Sequence, residues 1–199
     1  MDKSGPSIAS AQHILADTTV FCNFADAGAS ALNALAGHVS QLQVVADVQA
    51  EIERRYCHAG HASLRPLVDA WPFGDALTLP VPLRQEVASV LAVRRFSHPD
   101  EDLGETATVF YARHRRDEAA ENWLVLTDDT QGRKLAERKG VAVTDTPALV
   151  IEMVCVGALD LKLGGRVWRS RFASNRKKWN EYEVAVRAAC PERLPDKLT

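Results

Sequence analysis

The strongest constraint on this chain is an alternation along it: short apolar runs trade places with longer stretches of helical periodicity. Such an order buries both faces of a sheet beneath helices, as a mainly parallel arrangement requires. The apolar runs fall at residues 14–17, 42–45, 76–81, 123–127 and 141–143. The run at 76–81 is the weakest, because Pro80 and Pro82 flank its end and restrict it to an edge. The sequence therefore predicts an α/β fold with a mainly parallel sheet of about five strands.

Helical patterns fill the intervals, at 20–37, 47–57, 63–70, 82–93, 103–116 and 130–139, then from Thr146-Pro147 to Gly157, and last at 175–189. In the stretch 47–57, Val48, Ile52 and Tyr56 recur at helical spacing behind Asp47, which is expected as the N-cap. Gly140 stands where a helix closes, and Thr146-Pro147 where one opens.

A chain of 199 residues suits one domain with a substantial core. A net charge of −2 neither favours nor excludes a nucleic-acid partner, so only the distribution of charge is informative. That distribution is uneven: residues 161–178 hold seven Lys or Arg and no Asp or Glu. Residues 1–12 read as a loose polar leader, 13–161 as the folded domain, and 162–199 as a basic extension whose helix packs on that domain. Cys22, Cys57, Cys155 and Cys190 form no C-x-x-C pair and no zinc spacing, so four reduced thiols in a cytoplasmic protein are expected. No stretch approaches the roughly 20 apolar residues of a membrane span, and no membrane partner is expected.

In an open α/β sheet, ligands bind beyond the carboxyl ends of the strands. Acidic residues recur there. Asp17 follows the first run, Asp47 and Glu51 the second, Asp128 and Asp129 the fourth, and Asp145 the fifth; Glu105 opens the helix before the fourth. Carboxylates gathered at one edge repel one another, and a shared hard cation such as Mg²⁺ or Mn²⁺ relieves that repulsion. Each acid also has a plain reading as a helix cap, and Asp102-Leu-Gly-Glu105 resembles a capping box. Glu51 is the exception, a full turn inside its helix beside the apolar stripe.

Competing chemistries lack their residues. Asp17-Thr18-Thr19 does not supply the Asp-x-Asp of a haloacid-dehalogenase-type phosphatase. Neither a phosphate-cradling P-loop nor G-x-G-x-x-G is present. No His stands in a recognisable pattern with a Cys or Ser nucleophile. Cys57, His58 and His61 lack the second ligand pair that a zinc site needs.

Four segments taken in order resemble the PIN-domain family. Leu15-Ala-Asp17-Thr-Thr-Val-Phe is similar to its opening strand, Val48-Gln-Ala-Glu51-Ile to the helix bearing a second acid, and Asp102-Leu-Gly-Glu105-Thr-Ala to the start of a third segment. The longest match runs from Leu124-Val-Leu-Thr-Asp-Asp129 through Gly132-Arg133, Ala136 and Gly140-Val to Thr146. The resemblance spans roughly 14–161 and is nearest to small prokaryotic proteins related to VapC-type toxins. Two positions depart from the pattern: Asp145-Thr146 replaces Gly-Thr, and Thr106-Ala107 replaces an acid followed by Ala.

The resemblance implies a three-layer α/β/α sandwich and a metal-dependent endoribonuclease, in some cases the toxin of a toxin–antitoxin pair. It implies catalytic roles for Asp17, Glu51, Glu105 and Asp129, and Mg²⁺ or Mn²⁺ held among Asp17, Glu105, Asp128, Asp129 and Asp145. Thr18 or Thr127 would orient a water. Arg113, Arg115, Arg116, Arg169, Arg171, Arg176, Lys177 and Lys178 would position RNA phosphates. The implied partners are RNA, an antitoxin protein and a second copy of the chain. The loss of the acid after Glu105 leaves a second expectation open, a PIN-like RNA- or protein-binding module without catalysis. A metal-dependent phosphatase on a similar sheet is the third.

Overall fold

A computed structural model describes residues 8, 11–57, 62–93 and 102–193. Four strands form one parallel sheet in the order β2-β1-β3-β4: β1 His13–Ala16, β2 Leu42–Gln43, β3 Trp123–Leu126 and β4 Ala142–Thr144. The apolar runs make this arrangement possible. Ile14, Leu15 and Ala16 of β1 and all four residues of β3 are buried, as strands covered on both faces must be.

Among the described residues the sheet has four strands where five are expected. The run at 76–81 contributes a single parallel bridge, Val45 to Leu77, in which the Leu77 N–H donates to the Val44 carbonyl and Ala46 N–H to the Leu77 carbonyl. Pro80 and Pro82 carry no N–H, so this segment cannot extend the ladder.

Among the described residues ten α-helices surround the sheet. They are α1 Thr18–Ala27, α2 Ala29–His38, α3 Ala46–Tyr56, α4 Arg65–Asp69, α5 Val81–Val93, α6 Leu103–Ala119, α7 Thr130–Arg138, α8 Thr146–Cys155, α9 Leu161–Arg171 and α10 Glu181–Ala189. Helix α6 packs on β3 and also meets α3, α5 and α7; α9 packs on α1 and α8, and α10 on α8. This organisation is compatible with helices on both sheet faces.

Several boundaries differ from the sequence reading. The helix expected over 20–37 breaks at Gly28, whose φ of +109° lies outside the helical range. Val45, not Asp47, caps α3, and Asp47 falls in its first turn, where its charge favours the helix dipole. The helix expected over 175–189 is a short 3-10 turn, Arg176–Asn180, followed by α10. Helix α9, absent from the sequence reading, places Leu163, Val167 and Trp168 in the core. Ile8 and Ala11 of the polar leader are also buried.

Of the four expected thiols, Cys155 and Cys190 are joined in a disulfide, while Cys22 and Cys57 are free. The two sulfurs sit at the ends of α8 and α10, which packing brings together. Sequence separation concealed that meeting. The turn expected near His98, and the His58 and His61 ring atoms, lie outside the described residues. Among the described residues no helix is long and apolar enough to cross a membrane.

Candidate active site

The strand order places a switch point between β1 and β3. From β1 the chain moves outward to β2, whereas from β3 it moves the other way to β4. The loops leaving β1 and β3 therefore part, and their strand ends border a crevice. Asp17 and Asp129 stand at those two ends.

Asp17 caps α1 and is 4 % exposed. Its Oδ1 accepts from the Thr18 N–H at 2.6 Å, and its Oδ2 from the Thr19 and Thr127 hydroxyls at 3.0 and 3.1 Å. Burial, reinforced by the nearby Glu51 carboxylate, raises the Asp17 pKa to about 6 despite those three donors. The Thr127 hydroxyl also accepts from the Asp129 N–H at 3.1 Å, which links the two strand ends through one side chain.

Asp129 caps α7, its Oδ1 accepting from the N–H groups of Gln131 and Gly132. Glu105, in the first turn of α6, hydrogen-bonds Asp129. Burial, then the bond to Asp129, raises the Glu105 pKa to about 9. Burial also disfavours the Asp129 charge, but the Glu105 bond and the two backbone N–H groups outweigh it and hold that carboxyl below its ordinary value. For Glu105 the expected capping box lacks its other half, since the Asp102 side chain makes no cap hydrogen bond. Its Oε1 is instead buried without a partner, an expensive state for a carboxyl oxygen.

Glu51 completes the group from α3. Its Oε2 accepts from the Thr18 hydroxyl at 2.9 Å, and its Oε1 pairs with Arg55 at 2.6 Å. Glycine makes room for both glutamates. A Cβ at Gly104 would stand 2.9 Å from the Glu51 Oε2, and one at Gly132 would stand 2.5 Å from the Glu105 Cδ.

Asp128 and Asp145 are committed elsewhere. Asp128 accepts from Asn23, from the Thr146 hydroxyl at 2.6 Å and from the Thr146 N–H at 3.0 Å. Arg171 closes on it, with Nε 3.0 Å from Oδ1 and Nη2 donating to its backbone carbonyl. Asp145 caps α8 and pairs with Arg133 at 2.6 Å. Asp47 does not join the group. Both threonine hydroxyls considered for water positioning donate to carboxylates, Thr18 to Glu51 and Thr127 to Asp17.

The candidate cations divide in the same way. Arg113 is bidentate on Glu86, Arg115 pairs with Glu121, and Arg116 binds Asp117 and two backbone carbonyls near Gly140. Sequence reasoning missed Arg55 and the supporting glycines. The signals were Arg55 four residues after Glu51, an i,i+4 ion pair, and Gly132 inside a helix, where glycine has an energetic cost.

Among the described residues no three His, Cys, Asp or Glu side chains already form a metal cage. The carboxylates stand instead as two neighbourhoods, Asp17 with Glu51 and Glu105 with Asp129, joined by Thr127. The donor set nonetheless suits a hard divalent ion: only oxygens, a buried oxygen without a partner, and two carboxyls whose protonation relieves crowded negative charge. No protein-family model matches the chain, and no curated protein or solved structure does either.

Proposed function

We propose that this protein is a metal-dependent endoribonuclease with a PIN-like three-layer α/β/α architecture. The observation that carries the reading is the buried, unpartnered Glu105 Oε1 beside Asp129 and Asp17 at the switch point. Asp17, Glu105 and Asp129 would hold Mg²⁺ or Mn²⁺, with Glu51 assisting from α3. Such an ion, when bound, supplies an activated water and stabilises charge on the scissile phosphate. The chain's own part is positional. Thr19 and Thr127 fix the Asp17 carboxylate, Gln131 and Gly132 fix Asp129, and Arg55 and Thr18 hold Glu51.

Asp128 and Asp145 serve this reading as scaffolding, because their oxygens are already taken by Thr146, Asn23, Arg171 and Arg133. A role as the toxin of a toxin–antitoxin pair, with an antitoxin protein and a second copy as partners in the cytoplasm, extends the sequence resemblance.

The test is incubation of the purified protein with single-stranded RNA and Mg²⁺ or Mn²⁺, with EDTA and Asp17→Ala as controls. Cleavage that survives both controls, or no cleavage with any divalent ion, sinks the proposal. A second reading is a non-catalytic RNA- or protein-binding module. It is favoured by Thr106, which stands where the resemblance expects an acid and whose buried hydroxyl has no partner. RNA binding that ignores both Mg²⁺ and Asp129→Asn, without cleavage, would support that second reading.

A further inference from the structure

The cations of the acid-free run at 161–178 differ from those of α6. Arg113, Arg115 and Arg116 are consumed by carboxylates or carbonyls. Arg166, Arg169, Arg176 and Lys177 are exposed and form no ion pair with another described residue. An unpaired exposed cation keeps its charge available for a partner.

Their placement is directional. Helix α9 packs on α1, the helix that Asp17 caps, and its last residue, Arg171, lies on Asp128, the neighbour of Asp129. From Arg171 the chain continues through Phe172 to Trp179. It is not a slack tail: the Trp168 indole N–H donates to the Lys178 carbonyl at 2.8 Å, and the Trp179 indole N–H to the Phe172 carbonyl at 3.0 Å. These two bonds fold the segment from Phe172 to Trp179 back on α9.

The segment also carries aromatic surface. The Phe172 and Trp179 rings are partly exposed, with Arg171 over one at 5.3 Å and Arg176 over the other at 5.5 Å. Partly exposed rings beside cations such as Arg176 and Lys177, which form no ion pair with another described residue, are a surface that single strands favour, because every base has a face to stack and every nucleotide a charge to neutralise. A duplex would hide its base faces. An acidic peptide would use the cations and leave the rings unused.

We propose that Arg171 to Trp179 is a docking track for single-stranded nucleic acid that leads the strand to the carboxylate group. The inference rests on the reading of that group as a nuclease site. Arg176 and Lys177 neutralise backbone phosphates, and Phe172 and Trp179 receive bases.

The test uses the full chain in EDTA, so that cleavage does not enter. A labelled oligouridine is titrated by fluorescence anisotropy at several salt concentrations against the protein and against Arg176→Gln/Lys177→Gln. The track requires the double variant to bind roughly tenfold or more weakly, with the slope of log K against log salt reduced by about 1.4 for two lost phosphate contacts. Arg176→Lys/Lys177→Arg should restore both. Unchanged affinity and slope in the glutamine variant, with an unchanged melting temperature, overturns the inference. So does equal or tighter binding to a duplex or to polyglutamate. Cleavage is scored separately. Asp17-dependent cleavage with an inert track removes only this inference, whereas a working track without cleavage removes only the nuclease reading.

Discussion

The Glu105 carboxyl rests directly over Gly132, so close that a Cβ there would stand 2.5 Å from its Cδ. One residue of α7 is thus small in order that one residue of α6 can reach Asp129. Gly132→Ala recovers about 1 kcal/mol of helix propensity. It also overpacks a buried site at a cost of about 1–3 kcal/mol. The expected result is a net loss of about 1 kcal/mol in chemical denaturation, together with weakened Mn²⁺ binding by calorimetry. Full Mn²⁺ affinity in a variant of normal stability would show that Glu105 need not occupy this place.

Asp17 is a buried carboxyl beside another carboxylate, and its burial has a thermodynamic sign. The shift from 3.8 to about 6 corresponds to roughly 3 kcal/mol against the ionised form. Asp17→Asn keeps the cap and removes the charge. At pH 8 without metal it should raise stability by about 1–3 kcal/mol. RNA cleavage should fall at least a hundredfold. Lower stability at that pH would contradict the electrostatic account.

The pH dependence follows from the same two carboxyls. Both have folded pKa values raised above their unfolded ones, Asp17 to about 6 and Glu105 to about 9. The folded state binds more protons between those limits, so their stabilising contribution is complete below about pH 4 and is lost as pH rises through about 6 and then about 9. Glu105→Gln should flatten the upper part of that decline in metal-free thermal melts. A divalent ion must displace these protons, so stabilisation by Mn²⁺ should grow with pH across the same window. A Mn²⁺ effect that shrinks with rising pH would place the ion elsewhere.

Asp128 supplies a contrast. It is nearly as buried as Asp17 but fully engaged by Thr146, Asn23 and Arg171. Removing one partner of such a network leaves a buried group unsatisfied, at a cost of about 3 kcal/mol. Asp128→Ala should therefore lower stability by that order. Mn²⁺ affinity of the folded fraction should change less than in Asp129→Ala. The reverse ranking in calorimetry would make Asp128 a ligand.

The Cys155–Cys190 disulfide closes a loop with a sequence separation of 35. Loop-closure entropy for that length gives about 3–4 kcal/mol of stabilisation. Melting in the presence of reductant, and melting of Cys155→Ser/Cys190→Ser, should both show a loss of that order. Thiol labelling should count two free cysteines before reduction and four after. Four reactive thiols at the outset would contradict the Cys155–Cys190 pairing.

The sequence by itself determined the α/β class, because buried parallel strands must read as apolar runs and their helices as periodic ones. It also drew attention to Asp17 and Asp129 after strands, to Glu105 in a first turn, and to Glu51 a full turn inside its helix beside the apolar stripe. It could not show that Asp128 and Asp145 are paired with Arg171 and Arg133 while Glu105 keeps a buried oxygen without a partner. That distinction depends on which partner each oxygen finds, and the partners lie far away along the chain: Arg171 and Thr146 for Asp128, Thr18 for Glu51, Thr127 for Asp17. The missing fifth strand, the Cys155–Cys190 pairing and the integration of α9 into the core have the same origin. Local periodicity records what a segment can bury, and only the packed fold decides what it is buried against.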